Sequence, residues 1–257
     1  MPRNHAALYV LSAASFVAAW WLAALVAASA GYANILPTPV TVGAVAWTLF
    51  QEGEVQKHLP PTLWRVFAGF LVAELLGIVI GTAMGLNPRL ETLADGWIMI
   101  LLTIPSLAYA IFALLAFGLS ETAIIAAIAA TTLPYVVVSI WGGVKAVDAG
   151  LLDMARAFRV RKWSALRRVV LPQIMPYIFS SSRYGIGIAW KIAVVVELMG
   201  ASRGVGYMMN FSFGLFSMPH VLAWTAIVVV VMLFIELVVI RLIEERVLAW
   251  RPKAALS

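Results

Sequence analysis

Along this chain, long apolar runs alternate with short polar breaks, and the runs are too long for the core of a globular domain. A helix rises about 1.5 Å per residue, so about 20 apolar residues cross a hydrocarbon layer of about 30 Å. Six segments reach that length: about Leu8 to Ala30, Leu63 to Leu86, Trp97 to Leu119, Thr122 to Val144, Ile174 to Met199 and Val221 to Ile243. The pattern predicts an all-α polytopic membrane bundle of six transmembrane helices, one domain over residues 1–257. Arg3 and the triplet Ala28-Ser29-Ala30 before Gly31 give the first run some features of a cleavable leader. Its apolar stretch of about 23 residues exceeds the roughly 7–15 of a leader's apolar region, so it reads as a retained helix.

Composition agrees with that pattern. Of 257 residues, 63% are hydrophobic and 12% charged, against roughly 25% charged in an ordinary soluble domain. Mean hydropathy is +0.97. These values exclude a soluble enzyme, a nucleic-acid-binding domain and a disordered regulator. Cysteine is absent, which removes disulfides and thiolate metal sites, and His5, His58 and His220 are too far apart in sequence to suggest a metal centre.

The net charge of +6 reads as a record of topology, because Lys and Arg gather in cytoplasmic loops. With the N-terminus inside, thirteen of the eighteen basic residues fall on the cytoplasmic side. They are Arg3, Arg89, the cluster Lys145, Arg156, Arg159, Arg161, Lys162, Arg167 and Arg168, and the tail residues Arg241, Arg246, Arg251 and Lys253. Both termini are expected in the cytoplasm. Trp64, Trp97, Trp141 and Trp250 sit near proposed span ends, where interfacial aromatics belong.

Two loops are long. In residues 31–61 a short helix from Val40 to Gln51 would present Val42, Val45, Ala46 and Leu49 on one face, suited to the membrane interface or to packing on the bundle. The other loop, Lys145 to Leu171, is the only substantial cytoplasmic one. Leu151, Leu152, Ala155 and Phe158 recur there at helical spacing, with Asp153 and Arg156 off the stripe. A second short segment, Lys162 to Val170, leads to Leu171-Pro172, where proline suits the first turn of a new helix.

The stretch Asp153 to Pro172, DMARAFRVRKWSALRRVVLP, resembles the EAA loop of ATP-binding cassette (ABC) importer permeases. Asp153, Met154 and Ala155 occupy the Glu-Ala-Ala positions, Val169 the branched apolar position, and Leu171-Pro172 match outright. Arg159 stands where the family has a turn glycine. TLWRVFAGF (Thr62 to Phe70), IPSLA (Ile104 to Ala108), PYIFSSSRYGIGIAW (Pro176 to Trp190) and VELMGASRGVGYMM (Val196 to Met209) are similar to the nitrate/sulfonate/taurine/bicarbonate branch. The resemblance implies a type I ABC importer permease (MetI-like) fold in a bacterial inner membrane. It implies a homodimeric alternating-access pore, two copies of an ABC ATPase, and a periplasmic or extracellular substrate-binding protein. It also implies a small anionic or zwitterionic cargo: a sulfonate, taurine, nitrate, bicarbonate or an organic acid. Residues 145–172 become the coupling loop, with Leu151, Leu152, Asp153, Met154, Ala155, Phe158, Arg159, Val169, Leu171 and Pro172 as the ATPase-coupling set.

No G-x-x-x-x-G-K-[ST] phosphate loop occurs, so the chain is expected to be non-catalytic, with ATP and Mg held by the partner ATPase. No cofactor, metal or nucleic acid is expected in the chain; lipid is its surroundings. Ionisable residues at membrane depth are costly and default to functional or paired positions. Glu74, Ser106, Arg183, Lys191 and Glu197 are the candidate pathway residues. Arg183, Glu197, Gly204 and Gly206 match positions common in the resembling family, whereas Lys191 replaces a usually apolar residue. Internal ion pairing is the competing role for Lys191 and Glu197. An ion-coupled secondary transporter using Glu74, Glu197 and Glu236 is the alternative function. Gly204-Val205-Gly206-Tyr207 is expected to form a tight turn at the outer mouth.

Overall fold

The computed structural model describes residues 3–32 and 34–247, which form helices joined by short turns and loops. Trp250, Arg251 and Lys253 lie outside the described residues, as do the side chains of Arg3 and His5. Contacts cluster into two compact units, Met1–Pro61 with Ser202–Val231, and Thr62–Ala201 with Met232–Ser257.

The first unit contains α1 (Arg3–Ser29), α2 (Pro39–Gln51), α10 (Val205–Gly214) and most of α11 (Met218–Phe234). Thr38 caps α2, its hydroxyl accepting from Thr41 N–H at 3.3 Å, and Pro39 takes the first helical turn. The apolar face predicted for this helix packs against protein: Val42 and Leu49 are buried with Val55, Val205, Ala223 and Trp224, and Val45 and Ala46 lie beside them.

The second unit holds most of α3 (Glu54–Leu86), then α4 (Pro88–Thr103), α5 (Ser106–Phe117) and α6 (Glu121–Lys145). It continues with α7 (Ala149–Ala157), α8 (Lys162–Ala165) and α9 (Leu171–Gly200), and ends with α12 (Arg241–Val247). Helices α6 and α9 pack extensively on one another. Helix α3 meets α6 along small residues. A Cβ built on Gly77 would stand 2.5 Å from Val136 Cγ1, and one on Gly85 would stand 2.5 Å from Val144 Cβ. Without a hydrophobic drive between helices in lipid, close backbone approach through small residues supplies the packing attraction. A second cluster, Val136, Ile140, Val144, Val147, Val170 and Ile174, continues the core toward the loop that contains α7.

Among the described residues, Glu54–Leu86, Glu121–Lys145 and Met218–Val247 are each long and apolar enough to cross a membrane, and two helix pairs pass when each is taken as one span. Ala14–Ser29 is a shorter apolar helix. The third predicted span departs from a single rod. Helices α4 and α5 meet at 95°. Ile104, before Pro105, has φ −66° and ψ 124°, because the proline ring clashes with a helical conformation in the preceding residue.

The Lys162–Val170 segment also differs from a separate short helix. It runs without a break through a π turn, Leu166–Val170, into α9. Leu171 N–H donates back to Leu166 O, a five-residue step that introduces Pro172 without ending the helix. A second π turn, Ile235–Ile240, joins α11 to α12.

Candidate coupling and translocation sites

Helix α7 begins where the Asp148 carboxylate accepts from Gly150 N–H at 2.8 Å. It ends in a Schellman motif: Val160 N–H donates to Ala155 O and Arg159 N–H donates to Arg156 O, both at 2.9 Å. That motif needs a left-handed residue at its turn, and Arg159 provides it with φ +50°. The arginine therefore adopts the conformation a glycine would take at no steric cost.

The predicted apolar stripe of α7 divides. Ala155 is buried, and Leu152 packs against the Val136–Ile174 cluster with Leu171. Leu151, Met154 and Phe158 face outward at spacings of three and four residues, Phe158 being 77% exposed. Trp163, in α8, is likewise exposed at 63%. Asp153 pairs with Arg156 at 2.9 Å in full contact with solvent. Val169 and Pro172 are half-buried at the return into α9. The coupling set thus has an inner half that fixes α7 to its own bundle and an outer half with no covering protein among the described residues.

The candidate pathway residues separate into three places. Glu197 is buried in α9 and accepts from Arg65 Nη1 at 2.7 Å and from the Thr62 hydroxyl at 2.9 Å. Arg65 also grips Glu121 with a two-pronged contact, Nε and Nη2 each at 2.6 Å. One guanidinium thereby ties α3, α6 and α9 together, with the fork geometry that suits Arg and not Lys. Glu74 lies elsewhere along α3, 6% exposed; its Oε1 accepts from Ser181 at 2.9 Å and Ser182 at 3.0 Å. Its Oε2 has no partner among the described residues. Ser106 is exposed at the start of α5, just past the kink.

Arg183 and Lys191 come together. They line a cavity of about 410 Å³ with Ser180, Tyr184, Met232 and Glu236. Arg183 donates to Glu244 at 2.7 Å, so its charge is matched at one edge. Among the described residues no group of three or more His, Asp or Glu side chains is placed to hold a metal ion. In the first unit, Gly204 has φ +125° and its N–H donates to His58 Nδ1 at 3.2 Å, while His58 Nε2 meets Glu54 Oε2 at 3.2 Å. The expected turn is confined to Gly204, which a buried histidine clasps; Val205, Gly206 and Tyr207 instead form the first turn of α10.

Arg65, Glu121, Ser181, Ser182 and Glu244 were not legible as partners from sequence. Arg65 lies 56 positions from Glu121 and 132 from Glu197, so no local periodicity links them. The usable signal was general: a charge at membrane depth demands a counter-charge.

A family model described as binding-protein-dependent transport system inner membrane component matches residues 73–248. The chain is 36% identical over 219 residues to a putative aliphatic sulfonates transport permease protein of Bacillus subtilis, covering 85% of this chain and 79% of that one. It is 30% identical to the taurine transport system permease protein of Escherichia coli, covering 78% and 73%. Among solved structures, an amino acid ABC transporter superposes with a TM-score of 0.64 at 22% identity, covering 79% of this chain and 97% of that chain. That structural likeness supports the MetI-like helical fold.

Proposed function

Since the chain belongs to the family of inner membrane components of binding-protein-dependent transport systems, we propose that it is the sulfonate-type permease subunit of an ABC importer. In this reading two copies form an alternating-access pathway in a bacterial inner membrane, with both termini in the cytoplasm. A substrate-binding protein delivers a small anionic or zwitterionic solute, and two ATPase subunits, carrying ATP and Mg, drive the cycle. Residues 1–257 act as one permease domain, and 145–172 act as its coupling loop. The chain itself performs no covalent chemistry.

The observation that carries this reading is the division of α7. A helix whose inner residues, Leu152 and Ala155, are anchored and whose outer residues, Leu151, Met154 and Phe158, are uncovered is built to transmit force between two bodies. Rigid anchoring on one side makes a push on the other move the bundle as a whole. Basic residues surround the stripe, from Arg156 to Arg168, and favour an acidic rim on the partner. Arg183 and Lys191 serve the pathway. Glu74 and Glu197 serve helix packing, as their buried partners indicate.

The test is co-expression with the ATPase and recovery of the complex in detergent. Phe158→Asp places a charge in the docking face without touching the core, and it is expected to lower recovery of the ATPase by roughly tenfold or more, as for a central apolar anchor. Recovery equal to the unsubstituted protein would overturn the coupling assignment.

A further inference from the structure

We propose that the cavity between α9 and the Ile235–Ile240 turn is a cargo seat for a small organic zwitterion, with Lys191 holding the anionic head and Glu236 the ammonium group. The inference rests on the importer reading and narrows its substrate class.

The charge pattern of the cavity is the argument. Four ionisable side chains meet its wall or edge: Arg183, Lys191, Glu236 and Glu244. Arg183 and Glu244 satisfy one another at 2.7 Å. Lys191 and Glu236 both line the cavity, yet among the described residues neither takes part in an ion pair or side-chain hydrogen bond. Lys191 is exposed and Glu236 half-buried in the chain, and within a membrane span each charge would be costly without a counter-charge, for which a direct pair is the usual resolution. Keeping them apart in one cavity leaves room for a ligand that carries both complementary charges.

The form of the wall points the same way. Glu236 lies on a π turn, a local insertion that re-aims a side chain and recurs at functional sites. Gly187 keeps the wall thin on the facing helix: a Cβ there would stand 3.1 Å from Met232 Cε. Ser180 and Tyr184 add hydroxyl groups on the α9 side. About 410 Å³ is within the range of small-molecule sites, and a lone inorganic anion would leave most of it to water. An anion without an amino group would meet the Glu236 carboxylate unbalanced. A short aminoalkane sulfonate or carboxylate satisfies both ends and fills the apolar middle beside Met232.

The experiment measures binding of taurine and of ethanesulfonate, its counterpart without the amino group, to the permease–ATPase complex in nanodiscs. Wild-type complex is expected to bind taurine more tightly than ethanesulfonate by roughly tenfold or more, as for a charge-assisted hydrogen bond. Glu236→Gln is expected to erase that preference, and Lys191→Met to weaken both ligands by a similar factor. Lys191→Arg is expected to restore binding of both. Equal affinity for the two ligands in the wild type would overturn the proposal, as would a taurine preference that survives Glu236→Gln, or absence of binding by either probe. Recovery of the ATPase with every variant checks assembly separately. Its failure in the wild type would count against the importer reading itself.

Discussion

At Arg159 the backbone holds a non-glycine residue in the left-handed region, with φ +50°. For an L-residue this conformation costs about 1–2 kcal/mol, which the Schellman hydrogen bonds and the buried Ala155 anchor offset. Arg159→Gly is expected to raise the thermal stability of the permease by about 0.5–1 kcal/mol at most, since glycine also gains freedom in the unfolded chain. Arg159→Val, β-branched at the same φ, is expected to be destabilising, and thermal melts of the two variants check the sign of each change. The EAA-type spacing identified this position, and the structure adds that the arginine keeps the glycine geometry. Arg65 makes the opposite case. It was visible in the sequence only as a basic residue at the start of a span, because its partners are distant in the chain. Arg65→Met removes all of its contacts to Glu121 and Glu197 from a buried site, and is expected to cost about 3–5 kcal/mol, read as loss of folded protein in detergent.

The helices themselves were legible from apolar run length, and their irregularities were less so. The α4–α5 bend follows from Pro105, whose local rule predicts an extended Ile104 but no angle. The joining of α8 to α9 was hidden because Pro172 reads equally well as a helix start and as a residue absorbed by a π turn. The division of the α7 stripe depends on which side the bundle lies, and that is tertiary information. Packing of α3 on α6 is set by glycines whose spacing gives a clear expectation. Gly77→Leu would drive a side chain into Val136 and is expected to cost about 1–3 kcal/mol or to separate the two helices. Disulfide trapping between cysteines introduced on the two helices would report the separation as lost cross-linking. Gly43, beside which an added Cβ meets open space, is the control position for a tolerated Ala.

For the molecule as a whole, family membership and the MetI-like fold agree on a transport permease, and the outward apolar face of α7 is where the proposed ATPase would act. The acidic residues that would serve an ion-coupled carrier are differently placed. Glu197 is held by Arg65 and Thr62, Glu74 accepts from two serines, and Glu236 lines the cavity it shares with Arg183 and Lys191. The account is tested most directly by uptake of labelled taurine into proteoliposomes that hold the permease, its ATPase and the binding protein. With ATP on the ATPase side, and with proton and sodium gradients collapsed by ionophores, uptake is expected to proceed and to be lost in Phe158→Asp. Uptake that needs an ion gradient and runs at the same rate without ATP or the ATPase would contradict the account.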